Sequence, residues 1–271
     1  MMVARAAVTV KVFLENMRTK ILFFDIENSP SLGWVWEKWE TNVIDFKSEW
    51  HLLSFAYKWA GDRSVRSYSL PDFPLYKKDK ENDRELVHKL HELMGEADIL
   101  IAHNGNDFDI RKANARFAYY DLPPVHPLKS IDTKLVARKY FMFNSNSLND
   151  LAKHLGLGEK IDTGGFDLWL GCMKGDKKSW RDMVRYNKND VVLLEKIYQR
   201  LAPFMTNHPN INIVRDDLET GNQLCPRCGS ETMQRRGWSI TALSRSRRYQ
   251  CVSCGGWSSG KPERIKEVEG R

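Results

Sequence analysis

Four of the five cysteines fall in two matched pairs near the C-terminus, Cys225-Pro-Arg-Cys228-Gly and Cys251-Val-Ser-Cys254-Gly, with 22 residues between the pairs. Two thiolates separated by two residues can grip one tetrahedral Zn²⁺ from a tight knuckle, and the glycine after each pair lets backbone amides turn toward sulfur. The spacer is slightly longer than the usual range, yet two such knuckles are a strong constraint: the last fifty residues are expected to close on one structural Zn²⁺ as a small ribbon. Disulfides are the competing reading. The N-terminus, MMVARAAVTVKVFLENMRTK, has Arg5 and Lys11 interrupting any apolar run, and no small-residue cleavage site follows one. No secretory signal is expected from it, and a leftover Cys172 also favours a reducing, cytoplasmic setting. Cys172 reads as a small buried hydrophobe.

Charge divides the chain at the same place. Of 42 Lys/Arg and 35 Asp/Glu, ten and four fall in Asn222–Arg271, leaving 32 and 31 for the rest. A positive module on a near-neutral body fits a polyanionic partner, most simply nucleic acid. Arg235, Arg236, Trp238, Arg245, Arg247, Arg248 and Tyr249 interleave cations with aromatic surface between the knuckles. Phosphate contact plus base stacking is the functional reading, and a solvated ribbon edge the bland one. With 42% apolar and 28% charged residues, the composition is that of an ordinary globular chain. No run of about 18 apolar residues exists to span a membrane.

Lys20–Glu27, KILFFDIE, reads as a buried strand. Residues 28–50 read as a loop with Pro30, Gly33, Trp34, Trp36, Trp39 and Trp50. Strands follow around 51–59 and 64–70. A helix begins after an N-cap at Asn82 or Asp83 and carries the stripe Leu86, Leu90, Leu93 and Met94. Next come a strand over 98–102 and helices near 109–120, 133–141 and 147–155, then a Gly/Asp-rich break at 156–167 and helical stretches near 179–185 and 186–202. Strands first and helices interleaved afterwards imply an α/β fold with a mixed sheet flanked by helices. The expected division is a leader over 1–19, a large domain over 20–206, a linker over 207–221 and the ribbon with its basic tail over 222–271. Met17 just before the first strand makes 1–16 read as an optional leader or start-site artefact.

Three polar clusters interrupt the apolar pattern. Asp25 and Glu27 are two apart at the end of a strand, hence on one face, able to address one cation. The burst His103-Asn104-Gly105-Asn106-Asp107-Phe108-Asp109 follows the second buried strand, and its Asp109 opens the next helix. Tyr186 and Asp190 lie one helical turn apart. Singly, each has an ordinary structural explanation: a strand-end pair, an N-cap, a helix surface.

Together they resemble the DnaQ-like 3′–5′ exonucleases, in the branch whose four acids come with a tyrosine (DEDDy). The family's DxE matches Asp25 and Glu27. Its second motif matches Asn104 or Asn106 with Phe108-Asp109, and its Y-x3-D matches Tyr186 and Asp190. Ile131-Asp132-Thr133 and Ser147-Leu148-Asn149-Asp150-Leu151-Ala152 look like segments usual between the second and third motifs. The resemblance covers roughly residues 20–203 and implies an RNase H-like core. The histidine-preceded Asn104 and the final Asp are one residue farther apart than is commonest, which makes Asp107 a rival ligand. The aromatic before Asp109 favours 109, because a large ring can anchor the turn in the core.

The resemblance implies phosphodiester hydrolysis at nucleic-acid 3′ ends with two Mg²⁺ or Mn²⁺ ions. Asp25 would bridge both ions, Glu27 and Asp190 would complete one site, Asp109 would hold the other, and Tyr186 would orient the attacking water. Asn104 would touch nucleic acid. The expected partners are single strands or duplex 3′ ends, and no membrane. The alternative is a non-catalytic nucleic-acid-binding or polymerase-recruiting protein on the same fold. Gly255–Lys261 imitates a phosphate-binding loop, but Pro262 replaces the required Ser/Thr.

Overall fold

The computed structural model describes residues 19–39, 42–126, 129–212 and 224–264. All but the last residue of the expected leader, most of the expected linker and the end of the basic tail lie outside them. The chain divides into two compact units, one over Lys20–Ile197 and one holding Thr19 with the described residues from Tyr198 onward.

The larger unit is built on a five-stranded sheet in the order β5-β4-β1-β6-β7. Strand β1 (Ile21–Asn28) is central and buries Ile21 to Phe24 on both faces, as its unbroken apolar run requires. It pairs antiparallel with β4 (Leu52–Trp59), which pairs antiparallel with β5 (Arg66–Ser69). On its other edge β1 runs parallel to β6 (Ile99–Ala102), and β6 runs parallel to β7 (Lys129–Asp132). The mixed sheet flanked by helices expected from the pattern is the fold observed.

Helix α1 (Arg84–Gly95) buries Leu86, Val87, Leu90, Leu93 and Met94. Asp83 stands at its N-cap position but does not cap it. Its carboxylate accepts from Leu52 N at 2.7 Å, from the Tyr120 hydroxyl at 2.6 Å and from the Arg116 guanidinium. This fully buried acid therefore ties α1, the start of β4 and helix α2 (Asp109–Tyr119) together.

Helices α3 (Thr133–Tyr140), α4 (Leu148–His154), α5 (Asp167–Lys174) and α6 (Lys177–Leu201), the last as far as Ile197, complete the unit. Two expectations change here. The stretches near 179–185 and 186–202 form one 25-residue helix, because Trp180, Met183, Val191, Leu194 and Ile197 keep one apolar stripe in register past Asn187 and Asn189. Residues 28–50 are not all loop: β2 (Leu32–Trp34) and β3 (Asp45–Ser48) form an antiparallel hairpin. Among the described residues no helix is long and apolar enough to cross a membrane.

The second unit centres on a three-stranded antiparallel ribbon in the order β10-β9-β8. Its strands are β8 (Met233–Ile240), β9 (Ser244–Cys251) and β10 (Trp257–Arg264). Residues 205–212, the last two of the expected large domain and the start of the expected linker, pack within this unit. Arg227 donates from Nε and Nη2 to Met205 O at 3.1 and 2.6 Å, Asn212 Nδ2 donates to Cys225 O at 2.8 Å, and Ile211 N donates to Pro226 O at 3.0 Å.

Candidate active site

Strand β1 delivers Asp25 and Glu27 beyond its last fully buried phenylalanine, and the middle of α6 delivers Asp190 from the other side. One carboxylate oxygen from each of the three lies within 4.8 Å of the others. Asp109 opens α2 and is 3% exposed, and its Oδ1 accepts from Ile26 N, between the two β1 acids, at 3.1 Å. It stands beside the trio and acts on Asp25 by charge without being one of the three.

The rival Asp107 is exposed, so burial separates the two candidates in favour of Asp109. The reason expected for that choice is corrected by the structure. Phe108 is 41% exposed rather than anchored in the core. The turn is held instead by Asp132, whose carboxylate accepts from the backbone amides of Asn104, Asn106, Lys134 and Leu135 at 2.9–3.2 Å. Asn104 itself is left-handed at φ 68°, and its side-chain oxygen accepts from Lys134 Nζ at 3.2 Å.

Crowding four acids into one buried place makes their charged forms unfavourable. Burial, then the charges of Asp109, Glu27 and Asp190, hold Asp25 well above the usual carboxylate range. Burial and Asp190 push Glu27 up to about 8, with Lys160 working against them. Asp109 is pushed up to about 7 by burial, although the amide of Ile26 works the other way. Asp190 Oδ1 is buried with no hydrogen-bond partner. A buried carboxylate oxygen without a partner, on an acid grouped with two others, is what a hard divalent cation relieves, so the residues present fit Mg²⁺ or Mn²⁺.

Three residues that the sequence did not single out complete the site. Asn187, fully buried on α6, donates from Nδ2 to Asp25 Oδ2 at 2.7 Å and to Asp25 O at 3.2 Å, and its own oxygen accepts from Ser54 at 3.3 Å. It lies inside the Tyr186–Asp190 cluster, so its neighbours were the only available signal. Lys160, from the stretch expected as a break, places Nζ 2.6 Å from Asp190 Oδ2 and 2.9 Å from the Tyr186 hydroxyl. Burial opposes its charge, yet Asp190 and Tyr186 hold its ammonium above the ordinary value. Burial and Asp190 likewise push Tyr186 up to about 12, so its hydroxyl stays protonated at neutral pH. Trp169, on the unexpected helix α5, meets Tyr186 edge-on at 6.0 Å.

In the ribbon, Cys225, Cys228, Cys251 and Cys254 bring their sulfurs within 4.8 Å of one another. The separations Cys225–Cys254 and Cys228–Cys251 are 3.6 and 3.7 Å. A tetrahedron with 2.3 Å metal–sulfur bonds has edges of about 3.8 Å, whereas a disulfide needs about 2.05 Å. Gly229 and Gly255 turn each knuckle at φ 71° and 75°. Cys172 is buried at a distance in sequence, packed in the core of the larger unit.

Strand register sorts the basic residues. Arg245, Arg247 and Tyr249 alternate along one face of β9, opposite Ile240, Trp238 and Arg235 of β8. The guanidinium groups of Arg247 and Arg245 lie 3.7 and 4.5 Å from the Trp238 ring centre. Arg248 points to the other face, over Trp257 at 5.0 Å, and its Nε donates to the carbonyl of Arg236, which sits in a bulge of β8.

No curated protein matches the chain. A family B DNA polymerase from the hyperthermophilic archaeon Pyrobaculum calidifontis has a similar structure, with a TM-score of 0.51 and 16% identity over 68% of this chain. The match spans 25% of the polymerase, so the likeness is one of fold. The family model described as RNase_H superfamily matches residues 51–202, more than half of the chain, beginning after the strand that carries Asp25 and Glu27. With the sheet order and the acids of β1 and α6 already in place, the chain belongs to the RNase_H superfamily.

Proposed function

We propose that the protein is a metal-dependent 3′–5′ exonuclease of the DEDDy kind, with a zinc ribbon that helps hold nucleic acid. The observation that carries this reading is the trio Asp25, Glu27 and Asp190, within 4.8 Å of one another, with a buried Asp190 oxygen left without a partner. Asp25, Glu27, Asp109 and Asp190 would hold two Mg²⁺ or Mn²⁺ ions. Such ions, when bound, supply a water nucleophile at neutral pH and stabilise the charge on the leaving oxygen.

The chain's own residues have separate tasks. Asn187 fixes the orientation of Asp25, and Ile26 N–H fixes Asp109. Tyr186, protonated and already accepting from Lys160, keeps its own proton to orient an attacking water. Lys160 offers positive charge beside the place where a phosphate would develop negative charge. In the ribbon, four thiolates would hold one Zn²⁺, and the face bearing Arg235, Trp238, Arg245 and Arg247 would meet phosphates and bases. Arg236 and Arg248 would add contacts from elsewhere on the ribbon, and Asn104 would meet nucleic acid beside the acids.

Purified full-length protein with Mn²⁺ and 5′-labelled DNA and RNA strands tests the reading. Stepwise shortening from the 3′ end, lost in Asp25→Ala and Asp190→Ala, is the expected result. Cutting of a circular single strand would make the protein an endonuclease instead, and binding with no cutting would make it a nucleic-acid-binding protein on this fold.

A further inference from the structure

The hairpin β2–β3 exposes an aromatic surface that no packing role absorbs. Trp34, Trp36 and Trp39 are 62%, 86% and 85% exposed. Trp59 packs against the core, and Trp50 is partly buried with the ammonium of Lys112 at 3.7 Å from its ring centre. Three indoles in six residues left in water are unfavourable by comparison with burial, and an exposed apolar cluster of this kind marks an interaction surface.

Its position says which interaction. β1 ends at Asn28, just past Asp25 and Glu27, and β2 begins at Leu32. The return limb enters β4 through Trp50 and His51, and Glu27 lies opposite Ser54 in the register. The hairpin therefore springs from the end of the sheet where the acids are. At its base the ammonium of Lys112, on α2 one turn after Asp109, lies over Trp50 and 5.9 Å from the Phe108 ring centre. Among the described residues no acid lies within salt-bridge distance of Lys112.

The hairpin's own charges refine the choice. Residues 32–49 carry Glu37, Glu40, Asp45 and Glu49 against Lys38 and Lys47. A net negative strip repels a phosphate backbone, so the indoles suit the neutral faces of bases. Duplex presents phosphates outward and hides base faces in the stack, whereas an unpaired strand offers both. We propose that Trp34, Trp36 and Trp39 form a stacking platform that holds unpaired bases of a single-stranded end beside the acid cluster. The proposal rests on reading that cluster as a nuclease site.

The test uses the full chain in an Asp25→Asn background that blocks hydrolysis, so binding is read whether or not the wild type cuts. Fluorescein-labelled strands of twelve nucleotides, with bases or with abasic residues at every position, are titrated by anisotropy. The protein is compared with one carrying Trp34→Ala, Trp36→Ala and Trp39→Ala, whose melting temperature serves as the fold check. We expect the alanine protein to bind the base-bearing strand about tenfold more weakly, with the abasic strand bound equally by both, and Trp→Phe at the three positions to restore most of the affinity. Equal binding of the base-bearing strand by both proteins overturns the platform. So does concentration-dependent self-association in sedimentation velocity that the alanines abolish while strand affinity stays unchanged. Failure of the wild type to shorten any strand overturns the nuclease reading alone.

Discussion

Lys160 Nζ stands 2.6 Å from Asp190 Oδ2, so a side chain from the stretch between α4 and α5 neutralises the carboxylate that α6 brings to the acid cluster. The same nitrogen reaches Tyr186 at 2.9 Å. Under the proposed function a lysine and a divalent ion would therefore compete for one carboxylate and would both face the same phosphate charge.

Replacing Lys160 with Met separates these roles. Without metal, the variant leaves Asp190 uncompensated and should lose about 1–3 kcal/mol of stability. Mn²⁺ should then raise its melting temperature more than it raises that of the wild type. Turnover should fall about 10- to 100-fold. A Mn²⁺ shift no larger than in the wild type would show that Lys160 does not contend for Asp190.

Stability of the metal-free protein should depend on pH in a definite direction. Glu27 and Asp109 are raised to about 8 and about 7 in the fold, above the roughly 4 of an unfolded carboxyl. Such groups contribute stability that is fully present below about pH 4 and is lost as pH rises through their folded values. Melting in a chelator that spares the thiolate site should therefore show a decline from pH 5 to 9, reduced by Glu27→Gln and largely removed by Mn²⁺. A flat profile that Mn²⁺ leaves untouched would mean the acids hold no cation.

Asn187→Leu keeps the branching and the number of side-chain heavy atoms, and removes both hydrogen bonds to Asp25 and the one from Ser54. The expected loss is about 1–3 kcal/mol of stability. On a single strand, kcat should drop about 100-fold while KM changes little, because the Asn187 side chain is fully buried and acts through Asp25. A change confined to KM would place Asn187 in binding rather than in holding Asp25.

Arg245→Ala with Arg247→Ala removes two cations from one ribbon face together with the groups flanking Trp238. Affinity for single strands should fall, and the slope of log K against log salt should shrink by about 0.7 for each phosphate that is no longer neutralised. Arg248→Ala, which removes one cation from the opposite face, should shrink the slope less than the double change does. Equal slopes in all three proteins would assign the ribbon arginines to solvation.

The elements that could be read in advance were those whose apolar pattern was local. KILFFDIE could only be a buried strand, and the stripe from Leu86 to Met94 could only face a core. Elements with weaker patterns escaped. The strand Lys129–Asp132 is short and polar at three of its four positions, helix Asp167–Lys174 follows a glycine-rich stretch, and the hairpin at 32–48 exposes the residues that usually signal burial.

The sequence by itself determined which residues are candidates for the chemistry. Acids at strand ends and paired cysteines are marked by a conflict between residue type and surroundings, and that conflict is written in one dimension. Only the tertiary structure decided how they are held. Asn187 reaches Asp25 across 162 positions and Lys160 reaches Asp190 across 30, and Asp109 rather than Asp107 turns inward because Asp132 grips the loop from the next strand. Such pairings form when separate elements are packed against one core, since a hydrogen bond selects neighbours in space and leaves no periodic trace along the chain.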